Sequence, residues 1–198
     1  MWTRKITRSH RVMVLICAVM MSVAYAVPLW RISLAAPQYP EGLSMYIWIS
    51  NITGGEEYDI QNINLLNHYI GMKDISPESI PELKYMPYVL AFMILGALVT
   101  VLIPRLFMVL LGIINTILVA IVGLADFWRW EYDYGHNLKP DAAIQIPDMA
   151  YQPPLLACKE MLNITACSWP HGGVGLILLG MAILIWIVYE ERKRPLDA

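Results

Sequence analysis

The chain has 198 residues, a formal net charge of −2, a hydrophobic fraction of 58% and only 15% charged residues. Soluble domains carry about 25% charged residues and nucleic-acid binders a basic excess, so both classes are disfavoured and no nucleic-acid partner is expected. Disorder is disfavoured by the same numbers, and the mean hydropathy of +0.51 is concentrated in four apolar runs, the pattern of an integral membrane protein.

The first run, Val12 to Trp30, follows the basic start Arg4, Lys5, Arg8, Arg11. A basic start, a short apolar stretch and Ala24-Tyr25-Ala26 also suit a cleaved signal peptide. A mature chain starting at Val27 would lose this span, and a retained anchor is the favoured expectation. The second run, Tyr88 to Ile103, and the third, Leu106 to Ala125, are separated only by Pro104-Arg105 and read as a membrane hairpin. A single helix of that combined length would overshoot a roughly 30 Å hydrocarbon core. The fourth run, Gly173 to Tyr189, ends in Glu190-Glu191-Arg192-Lys193-Arg194.

The expected fold is therefore an all-α membrane protein of four transmembrane helices. Two loops form a small cap, mixed α/β or irregular. The divisions are 1–30 (N-terminus and first helix), 31–87 (first loop), 88–125 (hairpin), 126–172 (second loop) and 173–198 (last helix and C-terminus). Orientation follows from Lys and Arg near the span ends. The termini and the Pro104-Arg105 turn hold eight of them, against six over the roughly 100 residues of the two loops. Both termini are expected in the cytoplasm of a bacterial inner membrane, with the loops in the periplasm and the lipid bilayer as one partner.

In the first loop, Leu43, Met45, Ile47 and Ile49 alternate as in a strand. Asn51-Ile-Thr-Gly-Gly reads as a turn, and Tyr58 to Leu66 as a second strand of a hairpin. Ser76-Pro-Glu-Ser and Ile80-Pro-Glu-Leu suggest a helix start leading into the second run. In the second loop, Asp126 to His136 can prolong the third helix beyond the membrane. Tyr151-Gln-Pro-Pro is extended, and Leu162-Asn-Ile-Thr-Ala is a short strand. Connections this long usually carry a function. The two loops are expected to pack together.

His68, His136 and His171 lie in the loops with Met72, Met149 and Met161. Imidazole binds either oxidation state of copper and thioether favours Cu(I). His68 and Met72 share a face if their segment is helical and do not if it is a strand. Hydrogen bonding within the cap is the competing role for these side chains, and packing for the methionines. His10, in the basic start, has no evident function. Cys158 and Cys167, nine apart, suit a disulfide in an oxidising compartment, copper thiolates, or free thiols. Trp128, Trp130 and Trp169 suit a membrane interface or a partner surface. No His-Glu-x-x-His, phosphate loop, haem attachment site or serine triad stands out, so no enzymatic activity and no catalytic residue is expected.

Three strings carry a resemblance: Phe127-Trp-Arg-Trp-Glu-Tyr-Asp-Tyr-Gly-His136, Ile144-Gln-Ile-Pro-Asp-Met-Ala-Tyr-Gln-Pro-Pro154 and Leu65-Leu-Asn-His-Tyr-Ile-Gly-Met72. They resemble a family of small bacterial membrane proteins encoded beside nitrous oxide reductase and its copper-supply proteins. The resemblance covers most of the chain. It implies an inner-membrane protein with a periplasmic cap in copper-dependent respiration, with His68, Met72, His136 and Met149 as the family-like positions. The expected role is a membrane-anchored accessory factor for copper delivery to, or assembly of, a periplasmic copper enzyme such as nitrous oxide reductase. Its partners would be other membrane or periplasmic proteins. The rival expectation is a non-catalytic structural subunit of a larger membrane complex.

Overall fold

The computed structural model describes residues 4–146 and 149–195. Helix α1 spans Arg8–Val23, and the Thr7 hydroxyl caps it by accepting from the His10 amide at 3.3 Å. It ends well short of Trp30, because Pro28 cannot extend it and Trp30 already belongs to a strand. Its 16 residues rise about 24 Å, less than the roughly 30 Å of a hydrocarbon core. Three later helices are long and apolar enough to cross a membrane: α3 (Glu82–Leu102), α4 (Leu106–His136) and α5 (Gly172–Lys193). The expectation of four spans is thus corrected to three. Helix α1 packs beside α3 and α5, around Val14, Cys17, Leu106, Val109, Leu184 and Ile187. The outward faces carry exposed Val12, Phe92, Leu102, Ile121 and Val122, as a lipid-facing surface requires. The three long helices identify a membrane protein.

The all-α expectation is also overturned, because the described residues are 55% helical and 17% strand. Strands β1 (Trp30–Ala36), β2 (Tyr39–Ile47), β3 (Ile52–Gly54), β4 (Ala157–Met161) and β5 (Ile164–Pro170) form one antiparallel sheet in the order β3-β2-β1-β5-β4. The β1–β5 ladder, from Trp30↔Pro170 to Ala35↔Thr165, unites the two long loops into a single cap. Leu43 and Met45 alternate into the core from β2, whose hairpin partner is β1.

The expected second strand, Tyr58 to Leu66, is instead within α2 (Asp59–Ile70). Ile60, Ile63, Leu66, Asn67 and Ile70 recur at helical spacing, and that stripe packs on the sheet. Asp59 anchors the start of α2: its Oδ2 accepts the amides of Ser44 at 3.0 Å and Glu56 at 3.1 Å. The cap core gathers Ile32, Met45, Ile63, Met72, Tyr134 and Tyr151 between sheet, α2 and the end of α4.

Helix α4 has 31 residues, about 46 Å. Charged side chains begin at Asp126, so residues 106–125 fill the hydrocarbon and 126–136 project into the cap.

Candidate functional site

The projecting end of α4 organises the cap. Its inward face carries Trp130, Glu131, Tyr134 and Gly135. The Trp130 and Tyr134 rings meet at 4.3 Å, and the Tyr134 hydroxyl donates to the Asp74 carbonyl at 3.1 Å. The absence of a side chain at Gly135 admits the segment around Tyr151. The Tyr151 amide donates to the Gly135 carbonyl at 2.9 Å, and a Cβ on Gly135 would stand 2.4 Å from the Gln152 backbone. The outward face carries a row one turn apart. Trp128 and Tyr132 lie 5.4 Å apart, and Tyr132 stacks on His136 at 3.9 Å. All three are exposed.

Glu131 is 0% exposed and neither of its carboxylate oxygens has a hydrogen-bond partner among the described residues. It lies beyond the hydrocarbon-spanning part of α4, and burial alone pushes its carboxyl up to about 8. The Trp130 Nε1 and the Tyr151 hydroxyl are likewise buried without partners. Both residues line a cavity of about 60 Å³, together with Asn67, Met72, Tyr134 and Met161. Its walls are almost wholly apolar, and a cavity of that kind stays dry.

The expected copper positions are dispersed. His68 is exposed in the last turn of α2, its ring 6.3 Å from that of Tyr69. Gly71 then adopts φ 79° and ends the helix, so Met72 does not continue the face of His68. It turns into the cap core at 6% exposure. Met149 packs on the same core. His136 is exposed at the end of α4, its Nδ1 3.0 Å from the Tyr132 carbonyl. His171 sits at the N-cap of α5, against Tyr46 at 5.3 Å. Met45 and Met161 also face the core and line the same small cavity as Met72, where no histidine joins them among the described residues. Among the described residues, no group of three or more His, Cys, Asp or Glu could hold a metal ion. The core-packed methionines Met72 and Met149 thus lie apart from the exposed imidazoles of His68 and His136.

Cys158 and Cys167 are paired across β4–β5 and joined as a disulfide, with Cα atoms 4.0 Å apart. It ties an edge strand to the sheet. Of the three tryptophans, Trp128 and Trp169 are exposed, whereas Trp130 turns inward. Two positions along a helix are about 200° of rotation, which separates Trp128 from Trp130. At the cap's rim Lys73 pairs with Asp133 at 2.5 Å, and Asn137 also donates to that carboxylate. These hydrogen bonds, Lys73 first, hold the Asp133 carboxyl below the usual range.

The opposite end of the molecule holds a cluster that local sequence does not reveal. Glu191 of α5 is 1% exposed. Its Oε1 accepts the Thr7 amide at 2.8 Å and lies 2.7 Å from His10 Nδ1. Arg4 and Arg194 approach its other oxygen at 3.8 and 3.6 Å. The Arg4 guanidinium also donates to the Arg194 carbonyl at 2.8 Å, closing the end of α5. His10, without evident function in the sequence, is central here. Its only local signal was a histidine one turn from Thr7.

No protein-family model matches the chain, and no curated protein matches it.

Proposed function

We propose that this chain is a membrane-anchored accessory factor for assembly of, or copper delivery to, a periplasmic copper enzyme, and that it acts through protein contact at the cap. The exposed row Trp128, Tyr132 and His136 carries this reading. Aromatic side chains are the usual anchors of protein interfaces, and this row stands on a helix held by the cap core. The copper setting comes from the resemblance of 65–72, 127–136 and 144–154. Sidedness is argued from the excess of Lys and Arg at the termini end, to which α1, too short to cross by itself, still returns the N-terminal segment by packing along α3 and α5, and the Cys158–Cys167 disulfide suits an oxidising periplasm. The exposed imidazoles of His68 and His136 would be the donors facing a copper-bearing partner, with Met72 and Met149 serving the core.

The test is a photo-crosslinker at position 132 in the native host, followed by gentle purification, metal analysis and identification of the captured protein. Capture of a periplasmic copper protein, and loss of bound copper in His68→Ala/His136→Ala, is the expected result. Recovery of isolated, copper-free protein would overturn it. A structural subunit of a larger membrane complex is the second reading. The exposed apolar faces of α3, α4 and α5 favour it, and recovery in fixed stoichiometry with other membrane subunits, independent of copper, would establish it.

A further inference from the structure

The segment preceding α1 lies along the turn between α3 and α4. The Ile6 amide donates to the Pro104 carbonyl at 2.8 Å, and the Leu106 amide donates to the Arg4 carbonyl at 2.9 Å. These bonds flank Lys5 and Arg105 and pair them as an isolated antiparallel bridge. Because the bonds come from the neighbours and not from the pair, this is the non-hydrogen-bonded kind of pair. Its Cα atoms stand about 4.5 Å apart and its side chains approach most closely. Directly opposed side chains project to one face, where like charges repel.

Both residues are exposed. Among the described residues neither forms an ion pair with a carboxylate: Glu191 is turned inward to Thr7, His10, Arg4 and Arg194. The first turn of α4 has no acidic residue and no side-chain cap, so its dipole adds positive potential beside Arg105. Exposed Arg8 and Arg11 on α1 extend the basic surface. Leu102, Ile103 and Phe107 adjoin it, exposed at 72%, 50% and 50%. The basic pair therefore sits at the rim of an apolar belt, at headgroup depth.

We propose that the opposed Lys5 and Arg105 form a binding site for the phosphodiester of an anionic phospholipid. A phosphate between them replaces repulsion by two charge-assisted contacts. The acyl chains would run over Leu102, Ile103 and Phe107, which distinguishes a lipid from free phosphate. This site is independent of the role proposed for the cap.

The test uses the full chain in non-ionic detergent, titrated with dioleoyl phosphatidylglycerol or dioleoyl phosphatidylcholine, with native mass spectrometry counting retained lipid. Preferential retention of phosphatidylglycerol is expected. Lys5→Gln/Arg105→Gln should weaken it by roughly thirty-fold, the effect of two basic residues at a membrane surface, while Lys139→Gln/Lys159→Gln in the cap leaves it unchanged. Equal retention of the two lipids by the wild type, or undiminished preference in the Lys5/Arg105 variant, would overturn the proposal. Displacement by inorganic phosphate at matched concentration would make this a free-anion site and also overturn it. If the double variant does not fold, Lys5→Gln and Arg105→Gln are read singly, each expected to weaken retention roughly five-fold, and undiminished retention in both would overturn the proposal.

Discussion

Two fully buried carboxylates, one at each end of the molecule, have opposite surroundings. Glu191, at the termini end, meets the Thr7 amide, His10, Arg4 and Arg194. Glu131, inside the cap, meets no hydrogen-bond donor among the described residues. The contrast shows that burial alone does not set a carboxylate's role. A partnered one acts as a latch between distant segments, here the N-terminal segment and the last helix. An unpartnered one is held neutral by its apolar surroundings and becomes a point where pH acts on the fold.

The largest effect should come from breaking the partnered site. Glu191→Ala leaves His10 and Arg4 facing an emptied buried position, and removing one member of a buried ion pair costs about 3–5 kcal/mol. Thermal unfolding in detergent should show the loss, and the N-terminal segment should become sensitive to protease. Unchanged stability would mean that the latch contributes nothing.

The next effect tests the seating of the second loop on α4. Gly135→Ala drives a methyl group against the Gln152 backbone, which cannot move aside as a side-chain tip can. Overpacking of this kind costs about 1–3 kcal/mol. Faster amide exchange at Tyr151, whose N–H is held by the Gly135 carbonyl, would be its signature.

The last test, and the most informative, concerns Glu131. Its carboxyl is raised from 4.5 to about 8 in the folded chain. The folded protein thus holds a proton that the unfolded chain has released, and stability must fall as pH rises between those values. The contribution is complete below pH 4.5 and lost above about 8. Glu131→Met keeps the volume and removes the ionisable group, so it should flatten that slope and stabilise the cap most at alkaline pH. A parallel pH profile for variant and wild type would show that Glu131 finds a partner in solution.

The helical layer was largely legible in the sequence. The second, third and fourth apolar runs became α3, α4 and α5, and Pro104-Arg105 does form the turn between two of them. The first run misled because hydropathy counts apolar residues whatever their backbone. Val27 to Trp30 is apolar, yet Pro28 and the pairing of Trp30 with Ile47 and Pro170 take it out of the helix. Tyr58 to Leu66 misled for a related reason. Its apolar residues fit a strand in part, and contact of Ile63 with the sheet selects the helix. The copper positions were read from residue chemistry and from the resemblance, neither of which fixes where a side chain points. Gly71 decides where Met72 points, and the two sides of α4 decide that Trp128 and Trp130 face apart.

By itself, the sequence determined that this is a membrane protein, where its long helices run, and which segments lie outside them. Those properties rest on local apolar content, which solvent and lipid sort without reference to distant residues. The tertiary structure alone decided that the two loops share one sheet, that Glu191 is partnered while Glu131 is not, and that Lys5 faces Arg105. Each of these depends on chain segments dozens to more than a hundred residues apart meeting in space, and no local pattern of hydropathy or spacing records such a meeting.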